Sequence, residues 1–286
     1  MQGFKSGEFA TALAELPSPY QCIRGRDGLF IINKNDIYIG KSLAKYGEWS
    51  QHELDLFRQL LSKSDHVIEV GANIGCHTVG ICKMVPTGLV WAFEPQRLVF
   101  QNLCANITIN ALMNCDCRLY AMSCKEGIPV KIPDSDPNHA GNFGQASLEE
   151  NSTESIHKTH SLDSEFEGLK QLKLLKIDAE GMEQKILKGG ETLIKRTKPA
   201  IYVQNDRPEE SEELIEQLLS FDYKLYWHIT TLFNPENFRA DQEDLFPGIA
   251  SINMLCVPNS TESNITGLAE VKNTSEHPLK PKEFLF

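Results

Sequence analysis

The sequence has no apolar run of membrane-spanning length, which excludes a transmembrane helix. Its opening stretch, MQGFKSGEFATALAELPSPY, lacks the continuous apolar core of a secretory signal and contains two glutamates. The chain therefore reads as mature protein, made and kept in the cytoplasm. Positive charge is also short: 28 Lys and Arg face 39 Asp and Glu, a net charge of −11. That balance argues against a large nucleic-acid footprint, which needs clustered basic residues. The eight cysteines form no CxxC pair and no Cys/His ligand spacing, and Cys115 with Cys117 makes only one CxC. They read as reduced thiols packing as small apolar residues, and no metal is assigned. Two Asn-x-Thr triplets, at Asn106 and Asn264, carry no weight without a secretory signal. There is no internal repeat.

What is present is an ordinary globular composition, 41% hydrophobic and 23% charged over 286 residues, enough for a full-sized core. Residues 1–62 read as an accessory cap. LFIIN and IYIG flank Lys34-Asn35-Asp36 as a hairpin would, and Ser50 with Glu53 suggests a capping box opening a helix. From His66 a rhythm of strand, glycine turn and helix sets in. HVIEV, LVWAF, CRLYAM, LKLLKI and PAIYVQ are strands. Between them lie helices, one running from Pro95 at its first position to Ile109. A helix with the stripe Leu214, Ile215, Leu218 and Leu219 precedes two late strands, YKLYW and INMLCV. This alternation predicts a doubly wound α/β fold over residues 63–258, with an antiparallel addition at one edge. Residues 133–160 form a long polar insertion, and 259–286 read as a flexible tail.

The chemistry concentrates in Glu69-Val70-Gly71-Ala72-Asn73-Ile74-Gly75, together with Glu94 at the next strand's end. Gly71 lets backbone approach a ligand, and Gly75 lets the helix start pass closely. Glu94 lies a little over twenty residues past the first glycine, where a carboxylate can accept both ribose hydroxyls of a nucleoside. A pyrophosphate site would show GxGxxG, but the middle position here is Asn73. S-adenosyl-L-methionine suits the pattern better: Glu69 can meet its ammonium, and amides at the helix start its carboxylate. Ala72 belongs to the same turn, Thr78 can touch the cofactor from the first helical turn, and Pro95 follows the ribose carboxylate. His77 is read as a partly buried helix residue; His139, Asn142 and Phe143 lie in the long insertion, where they could read the acceptor, and His139 is left outside the site.

In order, IEVGANIGCHT, WAFEPQ, a helix ending in NITIN, and LLKIDAEGMEQKILKGG resemble the landmarks of FkbM-type methyltransferases, a branch of the class I methyltransferases. The likeness runs from about Asp36 to Pro258, and KIDAEGME is its most family-specific part. It implies a doubly wound, mostly parallel seven-stranded sheet. It also implies methyl transfer from S-adenosyl-L-methionine to a hydroxyl of a sugar, glycan or secondary metabolite. By the same resemblance Glu48-Trp49 stands at the cofactor's rim. Gln204 replaces a common acidic residue and is given no role. Asp178, ending the fourth strand, should project into the crevice as base or substrate clamp, with Glu180 second. Two other readings stay open on the residues alone: an NAD-dependent oxidoreductase on a similar sheet, and a non-catalytic nucleoside-binding protein.

Overall fold

The computed structural model describes residues 16–133, 136–144, 148–152, 157–261 and 265–279. Its first elements are strands β1 (Tyr20–Arg24) and β2 (Leu29–Asn33), an antiparallel pair with Tyr20 opposite Asn33. The hairpin is thus one strand earlier than the sequence suggested, and IYIG runs instead into helix α1 (Ile39–Tyr46). The reason is Asp36, whose two carboxylate oxygens accept from the Tyr38 and Gly40 amides at 3.0 Å each, turning the chain into a helix. Helix α2 (Gln51–Leu60) starts after Ser50 as expected, but not through a capping box. Ser50 has φ +45 and spends its hydroxyl on the Glu53 carboxylate, at 3.0 Å, rather than on an amide.

The repeating unit follows as β3 (Val67–Val70), α3 (Cys76–Met84), β4 (Val90–Phe93), α4 (Arg97–Ile109) and β5 (Cys115–Arg118). Helix α4 begins two residues later than expected. Pro95 lies outside it, and Gln96 is its N-cap. CRLYAM does not form one strand: after β5 the chain leaves the sheet, and β6 (Ala121–Met122) joins β7 (Pro129–Lys131), β8 (Glu149–Glu150) and β9 (His157–His160). These make a second sheet of order β6-β9-β7-β8, so the polar insertion carries strands of its own. Then come α5 (Leu162–Glu165), β10 (Leu174–Ile177), α6 (Glu183–Gly189), α7 (Glu191–Thr197), β11 (Ala200–Gln204), α8 (Ser211–Ser220), β12 (Tyr223–Thr231), β13 (Ala250–Pro258) and β14 (Ala269–Glu270). In α8 the apolar stripe is narrower than expected, because Leu219 is exposed.

The main sheet is eight-stranded, in the order β14-β12-β13-β11-β10-β3-β4-β5. Strands β11, β10, β3, β4 and β5 run parallel, while β13, β12 and β14 each pair antiparallel with their neighbours. The expected seven-stranded, mostly parallel sheet is therefore corrected to a mixed one. Its extra edge strand comes from the segment read as tail, where Val271 N also donates to Leu225 O and His277 is buried.

All four residues of β3 and of β10 are buried, since helices cover both faces. Ile68, Val70, Leu175 and Ile177 pack with α6, α7 and α8 on one side. Val67 and Leu174 pack with Leu54, Phe57 and Ile81 on the other. Each such aliphatic side chain contributes roughly 1.5–3 kcal/mol by leaving water. Chain order reverses between β3 and β10, and a crevice opens there beyond the strands' carboxyl ends. No helix among the described residues is long and apolar enough to cross a membrane.

Candidate active site

The crevice is a cleft of about 210 Å³ whose floor is the glycine turn after β3. The Gly71 and Ala72 amides both donate to Phe93 O at 2.9 Å, and Asp178 N donates to Val70 O at 3.0 Å. These bonds draw three strand ends together. Gly71 has φ +83, and a Cβ there would sit 1.7 Å from the Asp178 carbonyl oxygen, so no side chain fits. Gly75, φ +87, is the N-cap of α3 and supplies no side-chain cap of its own. Asn73 also lies in the left-handed region, φ 51, and its Oδ1 accepts from Ile74 N at 2.7 Å. Asparagine tolerates this conformation far better than most residues, which is why the turn closes without a middle glycine.

Glu94 crosses from β4 to this turn. One carboxylate oxygen accepts from Asn73 N at 3.0 Å and the other from Gln96 N at 2.8 Å. Each oxygen keeps a second lone pair for a ligand hydroxyl. Burial pushes the Glu94 carboxyl up to about 7, although the Gln96 and Asn73 amides oppose the shift. Glu69 is buried differently: one oxygen accepts from Thr78 Oγ1 at 2.7 Å, and the other lies 3.3 Å from Lys176 Nζ. Burial opposes the Lys176 charge, but Glu69, Asp178 and Glu53 outweigh it and hold the ammonium above its ordinary range.

Asp178 faces the cleft, its side chain 38% exposed and its Oδ2 3.7 Å from Lys176 Nζ. Glu180, in a left-handed conformation with φ 52, pairs with Arg207 Nη2 at 3.1 Å. Burial, and after it the Asp178 charge, raise Glu180 to about 7 despite Arg207. Glu183 closes this turn by accepting from Ala179 N at 2.8 Å and Gly181 N at 3.0 Å.

The cleft thus gathers Glu69, Gly71, Ala72, Asn73, Glu94, Asp178 and Glu180. Pro95 lies in an adjoining pocket with Gly71, Glu94, Tyr120, Met122 and Met182. Gly75 and Thr78 shape the turn from behind, Thr78 with no exposed surface. Trp49 lines the cleft, whereas Glu48 turns away to Arg26, Asn234 and the Phe238 amide. Asn142 lines it too, and the Phe143 carbonyl accepts from Gln96 Nε2 at 2.9 Å. His139 is solvated and pairs with Asp136.

His77 also lines the cleft. Its Nδ1 is 4.0 Å from Glu53 Oε2, and its Nε2 has no partner among the described residues. Burial, helped by Lys176, lowers it to about 4, so the ring is neutral near pH 7. Sequence reasoning gave no site role to Glu53, Lys176, Glu183 or Asp206, of which Glu53, Lys176 and Asp206 line the cleft. The signal for Lys176 was in view, since a lysine inside the buried run LLKI must find an anion.

A family profile described as the methyltransferase FkbM domain matches residues 69–225. No curated protein matches. Among solved structures, the chain is similar to methyltransferase FkbM from Methylobacillus flagellatus KT, at 19% identity and a TM-score of 0.44. That match covers 68% of this chain and 44% of that one, so this chain spans less than half of that protein's length. It is similar to a SAM-dependent O-methyltransferase from Thermotoga maritima at 13% identity and a TM-score of 0.48, covering 86% and 80%. It is also similar to precorrin-6y C5,15-methyltransferase from Geobacter metallireducens GS-15 at 10% identity and a TM-score of 0.45, covering 72% and 89%. With more than half of its length matching the profile, from the glycine turn through the Asp178 element, the chain belongs to the FkbM methyltransferase family.

Proposed function

We propose that this cleft binds S-adenosyl-L-methionine and directs its methyl group to a hydroxyl of a sugar, glycan or secondary metabolite. The carrying observation is Glu94, whose two oxygens are each fixed by one backbone amide and each keep capacity for a ribose hydroxyl. Asn73 supports this cofactor over NAD. Its side chain fills the position where a dinucleotide site keeps glycine for the pyrophosphate. The cleft's carboxylates suit a ligand that carries cationic charge, and the α3 start suits that ligand's carboxylate.

When bound, S-adenosyl-L-methionine supplies an electrophilic methyl on a sulfonium. Glu94 holds the ribose, and Glu69, braced by Thr78 and Lys176, faces the ammonium. Asp178 is the group in the open part of the cleft that can orient an acceptor hydroxyl and take its proton. Glu180 stands second: with its carboxyl near 7 it can hold or release a proton at neutral pH, and Arg207 keeps it in place. The net charge of −11 supports a small-molecule or glycan acceptor over nucleic acid.

Calorimetry with S-adenosylhomocysteine tests the assignment. A hydrogen bond to a charged group contributes about 1.5–3 kcal/mol, so losing even one of the two ribose contacts predicts that Glu94→Ala weakens binding by at least about tenfold. Unchanged affinity would overturn the ribose contact.

A further inference from the structure

Away from the cleft, β9 ends at His160, and two carboxylates from different segments converge on its ring. Glu165 Oε1, from α5, lies 2.9 Å from His160 Nδ1, and Glu126 Oε2, between β6 and β7, lies 3.5 Å from it. We infer that Glu126, His160 and Glu165 form a binding site for a divalent cation of the zinc class, separate from the cleft.

The three ligand atoms all lie within 4.8 Å of one another. An ion with bonds of about 2.0–2.2 Å sits among donors about 3.3 Å apart, so small side-chain movements close the site. Each ligand is already anchored by an atom that a metal would not use. The second oxygen of Glu126 accepts from Ser161 N at 2.8 Å, and that of Glu165 from Arg118 Nη1 at 2.6 Å. The imidazole lies flat against Tyr120, with centroids 3.8 Å apart and planes 7° from parallel. Anchors of this kind orient ligands for a metal and keep the coordinating atoms turned inward.

Charge points the same way. Arg118 also binds Asp116, so one guanidinium stands against three carboxylates and leaves an excess of negative charge around the ring. An imidazole nitrogen with two carboxylate oxygens selects zinc, cobalt or nickel over calcium or magnesium, which prefer all-oxygen shells. The side chains are 47%, 28% and 17% exposed, in the order Glu126, His160 and Glu165, leaving solvent to complete the shell. The competing occupant is a proton on His160 bridging the two carboxylates.

The test uses the full-length chain, stripped of metal and titrated with zinc chloride by calorimetry, with cobalt absorption as a second readout. The expected result is one saturable site of about 10 µM or tighter. His160→Ala should weaken it by at least about fiftyfold and Glu126→Gln by about tenfold, with circular dichroism unchanged. Absence of saturable binding, the result a bridging proton gives, overturns the inference. So does equal affinity in His160→Ala, which would move the metal to the thiols.

Discussion

At the residue scale the informative group is Glu94, because its environment and its assigned role pull its proton in opposite directions. Burial favours the neutral acid and sets the carboxyl to about 7, while ribose hydroxyls donate best to the carboxylate. Cofactor affinity should therefore rise with pH through about 7, and proton release on binding should be visible in calorimetry across buffers. In Glu94→Gln both effects should disappear. Stability of the ligand-free chain should respond with the opposite sign. The folded value of about 7 lies above the ordinary 4.5, so the folded state binds more protons in that window. Stability from this group is full below about 4.5 and is lost as pH rises to about 7. His77, lowered to about 4, acts the other way: its contribution is full above 6.5 and is lost as pH falls towards 4. Comparison of wild type with Glu94→Gln isolates the first effect, and an unchanged pH slope in the variant would refute it.

At the scale of elements, the turn between β10 and α6 decides where Asp178 points. Glu180 and Gly181 both have positive φ, and the two amides that Glu183 binds span that irregular stretch. Glu183→Gln keeps the shape but replaces one acceptor oxygen by an amide donor facing an N–H, which costs about 1–2 kcal/mol. The glycine turn and Glu94 are untouched, so S-adenosylhomocysteine affinity should stay within about threefold while methyl transfer falls more steeply. An equal loss in both would refute a positioning role.

Legibility follows the same division. The strand-turn-helix units were readable because buried parallel strands are short apolar runs punctuated by glycine. The β1–β2 hairpin was misplaced because LFIIN and IYIG look alike in composition, and Asp36, a single capping carboxylate, decides between them. CRLYAM was read as one strand because its composition shows no break, although the Tyr120 ring stacks on His160 of the second sheet. That Glu94 and Gly71 meet in one cleft was legible from spacing. Glu53 was not, because its place at the cleft depends on Ser251 and Asn253, some two hundred residues away.

At the scale of the molecule, the cleft is closed by parts that do not belong to the parallel sheet. Tyr38 and Trp49 come from the N-terminal segment, and Leu232 from the connection between β12 and β13. Glu48 ties these two walls together: Oε2 accepts from Arg26 Nε and from Phe238 N at 2.7 Å each, and Oε1 from Asn234 Nδ2 at 2.7 Å. Tyr46 adds a second tie by donating its hydroxyl to Glu243 O at 2.8 Å, and Lys45 pairs with Asp241 at 3.0 Å. The carboxylate of Glu48 is buried while Arg26 is 34% exposed, so its removal costs less than breaking a fully buried pair, about 2–4 kcal/mol. Glu48→Ala should therefore loosen the walls before the sheet. Hydrogen exchange at residues 234–246 should accelerate by a larger factor than at β3 or β4, because local opening there no longer breaks the two hydrogen bonds that Asn234 and Phe238 donate to Glu48. Equal acceleration everywhere would mean that Glu48 supports only global stability. A selective effect would mean that access to Asp178 is governed by the joint between the N-terminal segment and the β12–β13 connection.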